Sequence, residues 1–461
     1  MFASLTARLT AIGRHYRLPD ERPHRVLVGF ILVNTFGQGM YLTAGLLYLT
    51  RSVGFSAGEV GLALTVAGVV ALPSNVLIGR LSDRTGPRGL AMLLLAVEGV
   101  AMLALAVVAT LPWLLVVATV GAVGLQGSRT LRAVLIGRAG GASRVRLRSY
   151  MRAASNLAMA LGAAAGGVAL QLDSRPAYLG VVVFNAVTFF VAAAVLTLLP
   201  DYPPVPVEAS RAKLPVLRNR PFMAVTALNA VMTLQYSVLT VALPLWISER
   251  TEAPRAMVSA VLVVNTVLVV LLQVRVGQRV ADARSSARAM RGAGAVFMVT
   301  CAVFATTGHL SPLWASVVLV LMMVLHTFGE LWHAAAGFEL AYHLAPEHAQ
   351  GEYQGMFSFG VSGALAVAPG LLTLLCIQWA PQGWLVLGGL LLAAGLLTGP
   401  ATRAAVRHAE GAEGAERAAR AERAEEAPGG ERATAGPPPG PGPSPSAAPP
   451  PPPVPPRPRR G

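Results

Sequence analysis

Residues 79–89, GRLSDRTGPRG, form a polar break between two long apolar stretches of the chain. The segment holds three arginines, three glycines and one aspartate, and residues 58–78 and 90–111 on either side are predominantly apolar. A helix needs about 20 apolar residues to cross the hydrocarbon core of a bilayer. The segment is therefore predicted to be a tight, basic loop that joins two membrane-spanning helices.

The composition of the whole chain also indicates a membrane protein. Of its 461 residues, 54% are hydrophobic and 13% are charged, whereas soluble domains carry about 25% charged residues. The net charge is +15, and every basic residue except Lys213 is arginine, which is typical of a GC-rich bacterial genome. Because this charge lies between apolar segments, we expect no nucleic-acid partner. Cys301 and Cys376 lie inside apolar runs and predict neither a disulfide nor a metal site.

Twelve segments have the length and composition of membrane-spanning helices. They are residues 26–49, 58–78, 90–111, 113–137, 149–172, 177–199, 222–247, 256–276, 290–308, 313–341, 354–378 and 383–400. The predicted organisation is a basic leader (1–25), a six-helix bundle (26–199), a linker (200–221), a second six-helix bundle (222–400) and a disordered, charged and proline-rich tail (401–461). The alanine-rich start of the tail can also extend the last helix by a few turns.

The arginines predict the orientation of these helices. Most of them lie before the first span and in the loops after spans two, four, six and eight, whereas the opposite loops carry only Arg51, Arg175, Arg250 and Arg255. Cytoplasmic loops carry the excess of basic residues. We therefore expect a multi-pass protein of the inner (plasma) membrane with both termini in the cytoplasm.

The loop after span two has a weaker copy after span eight. Arg80-Leu81-Ser82-Asp83 corresponds to Arg279-Val280-Ala281-Asp282 at the equivalent place in the second half. Two related six-helix halves are typical of duplicated transporters, whose substrate site lies between the halves.

The first loop also resembles the signature of the major facilitator superfamily, G-x-L-x-D-R-x-G-x-R between helices two and three, and the resemblance extends over residues 22–400. It implies an all-α membrane protein with twelve transmembrane helices in two six-helix pseudo-repeat halves. It also implies that the aspartate meets the start of helix eleven and holds the cytoplasmic side in one state. The implied conformational latch is Gly79, Leu81, Asp83, Arg84, Gly86 and Arg88. The alternative is a basic loop with a helix cap.

Residues 326–355, HTFGELWHAAAGFELAYHLAPEHAQGEYQG, resemble the region between helices ten and eleven of drug-exporter-like members. Gln350 stands where those relatives often have an arginine.

Glu330 lies about 27 Å along its span, near or somewhat inside the predicted midplane of the membrane, and Glu98 in span three is the other acid predicted to be buried. His326 and His333 lie at i−4 and i+3 on the same helix face. A buried carboxyl beside histidines can carry a proton, so Glu330 and His326 are predicted to couple transport to protons. The alternative is a structural Glu–His hydrogen bond. A metal site is not expected, because further ligands are missing.

Several polar residues are candidates for the substrate site. Asn34, Gln38 and Tyr41 follow the i, i+4, i+7 spacing of one helix face in span one. Arg129 is included because the family often has a functional arginine in helix four, although Arg129 and Arg132 can also reach the interface or pair with an acid or an anionic substrate. Arg152 is expected at the interface. The full predicted set is Asn34, Gln38, Tyr41, Arg129, Asn229, Tyr236 and Asn265; hydrogen bonds between helices are the alternative.

These features predict a monomeric, proton-coupled secondary transporter without a cofactor. Its partners are protons, the lipid bilayer and a small, partly apolar substrate, and sparse cavity charge weakly favours neutral or cationic cargo. Export by antiport is the first hypothesis. The alternatives are a nutrient importer on the same fold and a membrane sensor or scaffold that uses the proline-rich tail. An enzyme is not expected, and the sequence has no nucleotide-binding G-x-x-x-x-G-K-[ST] loop.

Overall fold

The computed structural model describes residues 21–204 and 215–426. Across these ranges the chain is almost entirely helical and contains no β-strand. Most of the predicted leader (1–20), the middle of the linker (205–214) and the proline-rich end of the tail (427–461) lie outside the described residues.

Twelve helices, numbered here as spans, make up the fold. In the first half they are α1 Arg22–Val53, α2 Ala57–Ala71 with Ser74–Thr85, α3 Pro87–Leu105, α4 Leu111–Gly140, α5 Arg144–Leu172 and α6 Arg175–Leu196. After a short helical turn, Pro215–Arg218, they are α7 Arg220–Arg250, α8 Ala256–Gly277, α9 Ala283–His309, α10 Pro312–His343, α11 Glu347–Gln378 and α12 Gln382–Glu426. Eleven of the described helices are each long and apolar enough to cross a membrane, and the bent pair in α2 supplies the twelfth. The predicted all-α, twelve-helix fold is confirmed.

Prolines explain where several helices begin and why α2 bends. Pro23, Pro87, Pro176 and Pro312 occupy the first positions of their helices, where a missing N–H costs nothing. Inside α2, Pro73 lies between the two helical segments, which meet at an angle of 42°. Proline cannot donate the hydrogen bond that would continue the helix, so it accounts for the bend.

Three clusters of buried apolar side chains form the core. One belongs mainly to the second half and includes Trp384 and Phe297, and two belong to the first half. One of the first-half clusters also takes in Phe338 and Tyr342 of α10, and the second-half cluster takes in Val76 of α2. Residues from each half therefore complete the packing of the other.

The chain divides into two compact units at Ala409 and Glu410. The first contains the helical bundle, and the described part of the second is the end of α12. Helix α12 continues through residues 401–426, the charged, alanine-rich part of the tail. The alanine-rich sequence explains this extension, because alanine has the highest helix propensity.

Candidate functional site

The loops after α2, α4, α6, α8 and α10 lie at one end of the bundle, named here the even-loop side, and the other loops lie at the odd-loop side. Asp83, in the last turn of α2, makes the central contact of the even-loop side. Its carboxylate accepts hydrogen bonds from the backbone N–H groups of Gly351 (2.8 Å) and Glu352 (3.0 Å). These amides lie in the first turn of α11, where N–H groups lack partners within the helix. Asp83 thereby joins the two halves of the protein.

Glycines let α2 and α11 approach closely enough for this contact. A Cβ atom added at Gly79 would overlap the carbonyl oxygen of Gly351, and one added at Gly351 would overlap that of Gly79. A Cβ at Gly355 would likewise overlap the carbonyl oxygen of Asn75. Since backbone atoms face backbone atoms, no side chain can move aside to make room.

The other predicted latch residues surround this contact. Leu81 and Arg84 are exposed. Gly86 has a φ of +86°, which glycine adopts readily, and it forms the turn between α2 and α3. Arg88 pairs with Asp201 at 2.6 Å, so it fastens the end of the first half rather than the contact with α11.

Glu352 is a part of this contact that the sequence analysis missed. Its side chain is buried and accepts a hydrogen bond from the backbone N–H of Val216 at 3.0 Å, while Arg80 lies 3.9 Å away. Glu352 follows Gly351 directly, so its backbone N–H binds Asp83 while its carboxylate binds the linker. The only signal in the sequence was its position in the segment that resembles drug exporters.

A second contact between the halves lies nearby on the even-loop side. Arg144, at the start of α5, donates to both carboxylate oxygens of Glu339 in α10, at 2.6 and 3.2 Å. The Arg144 guanidinium also lies over the Tyr342 ring, 5.1 Å from its centroid. Tyr342 in turn packs against Gly137 of α4, where an added Cβ would overlap the ring.

Deeper in the bundle, Glu330 of α10 forms the best-connected polar group. Its carboxylate accepts hydrogen bonds from Arg152 of α5 (2.5 Å) and from Asn265 of α8 (2.8 Å). Arg152 also donates to the hydroxyl of Tyr236 in α7 at 3.0 Å. The structure thus brings together three predicted site residues, Glu330, Asn265 and Tyr236, and adds an arginine from the other half.

Arg152 lies deeper in its helix than the sequence indicated. Helix α5 begins at Arg144 rather than at residue 149, so Arg152 lies eight residues, about 12 Å, inside the helix. Its side chain is 22% exposed and that of its partner Glu330 is 8% exposed. A charge held this far inside a membrane protein needs a partner of opposite charge, and Glu330 supplies it.

The two predicted histidine neighbours of Glu330 face other helices. Nδ1 of His326 lies 3.3 Å from the hydroxyl of Thr300 in α9, and its ring packs against Phe297. Nε2 of His333 lies 3.2 Å from the side-chain oxygen of Asn229 in α7. In the structure Arg152, and not His326, is the partner of Glu330.

The remaining predicted substrate residues lie in the first half. Gln38 donates to Asn34 at 2.5 Å, and Tyr41 packs against Gly45 of its own helix. Arg129 of α4 is exposed. Glu98 of α3 accepts a hydrogen bond from Ser128 at 2.6 Å, next to Arg129 in the chain. Among the described residues, no hydrogen bond or ion pair links Asn34, Gln38, Tyr41 or Arg129 to Glu330.

The described residues at the odd-loop side show the opposite pattern. Arg51 pairs with Asp173 at 2.8 Å within the first half. Trp246 donates to the hydroxyl of Thr307, and Arg250 donates to the carbonyl of Ile377, both within the second half. Polar contacts between the halves are therefore concentrated at the even-loop side and at mid-depth, an arrangement that closes the even-loop end.

No group of three or more His, Cys, Asp or Glu side chains suited to a metal ion occurs among the described residues. The arrangement joins the halves at two places: through Asp83 and the first turn of α11, and through the ion pair between Arg152 and Glu330.

Comparisons with known proteins agree with this architecture. The fold is similar to that of a bacterial homologue of the iron transporter ferroportin in an outward-facing state, with a TM-score of 0.66 and 14% identity, covering 84% of this chain and 100% of that one. It is also similar to the human organic anion transporter MFSD10, with a TM-score of 0.63 and 15% identity, covering 82% and 100%.

A mutant of the nucleoside transporter NupG is more distant, with a TM-score of 0.51 and 13% identity, covering 83% and 100%. A search of curated proteins gave no significant match. The model of the Major Facilitator Superfamily matches residues 27–369, which is well over half of the sequence. The chain therefore belongs to the major facilitator superfamily and is a membrane transporter.

Proposed function

We propose that this transporter is secondary active and proton-coupled, and that it works by alternating access. The two six-helix halves rock against each other around the group formed by Arg152, Tyr236, Asn265 and Glu330. Two observations support this: the ion pair between Arg152 and Glu330 joins the halves at mid-depth, and the Asp83 contact joins them at one end. With the predicted orientation, the structure is the state closed to the cytoplasm.

The Arg152–Glu330 pair carries the coupling proposal. A proton on Glu330 neutralises its carboxylate and removes the attraction to Arg152. Breaking a buried ion pair by neutralising one partner costs about 3–5 kcal/mol, which is enough to change the preferred conformation of a two-state protein. Protonation would thus weaken the central contact between the halves. In this proposal His326 has only a supporting role, because its ring faces Thr300 in α9.

The first proposed direction is export of a small, partly apolar molecule across the plasma membrane in exchange for protons, which the resemblance of residues 326–355 to drug-exporter-like members favours. Import together with protons is the second. The charge of the cargo decides between them: a cargo that competes with the proton is exchanged for it, and a cargo that binds better beside the proton travels with it.

Proton movement in inside-out vesicles tests the coupling. A pH gradient is imposed, lipophilic cations, organic acids and sugars are added one at a time, and a pH-sensitive dye reports the gradient. We expect one class of compound to change the gradient in vesicles with the protein and not in empty vesicles.

Glu330→Gln is expected to abolish that response. Glu249→Gln is the control, because Glu249 is an exposed glutamate at the odd-loop end of α7, outside the contacts between the halves. Loss of the response in both variants, or in neither, would contradict a specific coupling role of Glu330. If no compound changes the gradient and deletion of residues 427–461 alters the cellular phenotype, the sensor or scaffold alternative gains support.

A further inference from the structure

A groove of about 370 Å³ lies between α9 and α12 at the even-loop side. Five arginines line it: Arg284, Arg288 and Arg291 of α9, and Arg403 and Arg407 of α12. All five are exposed, and their spacings of three and four residues place them along one face of each helix. The groove therefore has a border of positive charge, named here the arginine rim.

Between the arginines, the walls of the groove are small and apolar. They consist of Ala283 and Ala287 of α9 and of Gly399 and Val406 of α12. Because Gly399 has no side chain, guanidinium groups from both helices extend over it. Nη2 of Arg291 and Nη1 of Arg403 lie 4.0 and 3.8 Å from the position that a Cβ atom would take at Gly399. Two arginines from different helices thus meet above one small apolar surface.

No carboxylate of the described residues neutralises these two arginines. None of the ion pairs between described residues includes an arginine of the rim. Asp282 interacts electrostatically with Arg288, but its carboxylate accepts from the backbone N–H of Ser285, and Asp282 does not line the groove. Like charges held close together repel each other, and an anion placed between them relieves that repulsion.

The groove also contains a buried hydroxyl without a partner. Thr402 of α12 lines the groove and is 3% exposed, and its Oγ1 makes no hydrogen bond within the described residues. A buried polar atom without a hydrogen bond is unfavourable. A ligand that brings acceptor oxygens into the groove would satisfy this hydroxyl, which directly precedes Arg403 in the chain.

The groove lies where the apolar parts of both helices end. The predicted spans begin at residue 290 in α9 and end at residue 400 in α12, so Arg291 and Gly399 lie at the boundary of the apolar layer. Deeper on the same helix faces, Val299 of α9 and Leu396 of α12 are 49% and 48% exposed. A molecule that contacts both the arginine rim and this surface therefore needs an anionic end and an apolar end.

We propose that this groove binds the headgroup of an anionic phospholipid. The phosphate lies above Gly399, where Arg291 and Arg403 donate to its oxygens, as planar guanidinium groups do readily, and the acyl chains extend along Val299 and Leu396. The other arginines of the rim favour a headgroup with net negative charge, because they repel the ammonium group of a zwitterionic lipid. With the predicted orientation the lipid belongs to the cytoplasmic leaflet, where basic pockets between helices suit such headgroups. The site is independent of the proposed proton coupling.

Thermal unfolding of the full-length protein, purified in excess nonionic detergent to remove native lipid, tests this proposal. The probes are phosphatidylglycerol and phosphatidylcholine with identical acyl chains, added to the micelles, and glycerol 3-phosphate, which has the phosphate without the chains. A ligand that binds the folded protein raises its unfolding temperature. We expect phosphatidylglycerol to raise it most, the other two probes to have little effect, and the shift to shrink at high salt.

The variant Arg291→Gln/Arg403→Gln is expected to lose the shift with phosphatidylglycerol while remaining folded, because both side chains are exposed. Arg275→Gln/Arg279→Gln is the matched control, since it removes two exposed arginines from the even-loop side of the same half without touching the groove; it should keep the shift. Thr402→Val removes the hydroxyl that lacks a partner, so it should unfold at a higher temperature without lipid and gain less from phosphatidylglycerol.

The proposal is overturned if phosphatidylcholine stabilises the protein as well as phosphatidylglycerol does, or if no probe stabilises it. Equal stabilisation by glycerol 3-phosphate would mean that the groove binds a soluble phosphate and not a lipid. A shift that persists in Arg291→Gln/Arg403→Gln, or that falls equally in Arg275→Gln/Arg279→Gln, would place the lipid elsewhere and leave the arginine rim with a role in orientation alone.

Discussion

The loops after α2 and α8 carry the same Arg-apolar-small-Asp pattern, but their aspartates make different contacts. Asp83 binds the amides of Gly351 and Glu352 in the opposite half of the protein. Asp282 accepts from the amide of Ser285 in its own half at 2.6 Å, and the Ser285 hydroxyl accepts from the amide of Asp282 at 3.1 Å. One aspartate joins the halves, and the other caps the helix that follows it.

The position of each aspartate relative to its helix explains the difference. Asp83 lies within the last turn of α2 and is 6% exposed. Asp282 lies beyond the end of α8 with extended backbone (φ −146°), where it serves as the N-cap of α9. The hydrogen bond of the N-cap satisfies the Asp282 carboxylate within its own half, so this carboxylate makes no hydrogen bond to the opposite half. Both loops contain the aspartate, but only the aspartate of the first loop, Asp83, contacts the opposite half.

Each loop also has a glycine near its start that faces the opposite half, but the atoms that it faces differ. Gly79 faces the backbone of Gly351, whereas Gly277 of α8 faces the hydroxyl of Ser149 in α5. A hydroxyl can rotate away from an added methyl group, but a backbone carbonyl cannot.

The largest effect is therefore expected from Gly79→Ala. The added methyl group should separate α2 from α11 and destabilise the closed even-loop side by up to about 3 kcal/mol. Gly277→Ala should cost less than about 1 kcal/mol, because only the Ser149 side chain must move. Both are measured in a Ser82→Cys background, as the rate at which a membrane-impermeant maleimide labels the introduced thiol, since Ser82 is fully buried beside Gly351. Equal labelling rates in the two variants would remove the distinction between the glycines.

Asp83→Asn is expected to have the next largest effect. The amide keeps one acceptor oxygen but loses the charge and one hydrogen bond to α11, at a cost of about 1.5 kcal/mol. The rate of transport should fall roughly tenfold while the affinity for substrate stays nearly constant, because Asp83 contacts Gly351 and Glu352 and not the group around Glu330. Asp282→Asn should leave the rate unchanged. Unchanged flux in Asp83→Asn would mean that this loop is only a basic turn with a helix cap.

The smallest effect concerns the Asp282 cap. The backbone amide of Ser285 holds the pKa of Asp282 below its usual range. A lowered pKa stabilises the fold above the usual pKa of a carboxyl group, and this contribution is lost as the pH falls through the folded-state value. Asp282→Ala should therefore lower stability by about 1 kcal/mol at neutral pH and have less effect in acid. Thermal unfolding across pH checks this, and a cost that does not change with pH would contradict the cap.

The spans could be predicted from the sequence because they depend on the length of each apolar segment. The contact of Asp83 with the start of α11 could be predicted because the loop carries a recognisable signature. It did not predict the partner of Glu330. Arg152 lies 178 residues away, and only the packing of α5 against α10 brings the two together. Helical spacing placed His326 beside Glu330, but side chains four residues apart can still turn toward different neighbours, and His326 packs against α9.

The depth of Arg148 in its helix could not be predicted from the sequence either. The sequence indicates that Arg129 and Arg132 can pair with an acid or an anion. It places Arg148 in a loop, among the arginines that predict orientation. Only the start of α5 at Arg144 shows that Arg148 lies inside the helix.

The contact between the halves at Asp83 is tested most directly by a distance measurement across it. Spin labels are attached at Thr85→Cys and Glu347→Cys, two exposed positions on α2 and α11, with Cys301 and Cys376 replaced by alanine, and the label distance is measured by double electron–electron resonance. We expect one short-distance population in the parent protein and in Asp282→Asn, and an additional longer-distance population in Asp83→Asn. An unchanged distribution in Asp83→Asn, or an equal change in Asp282→Asn, would contradict the account.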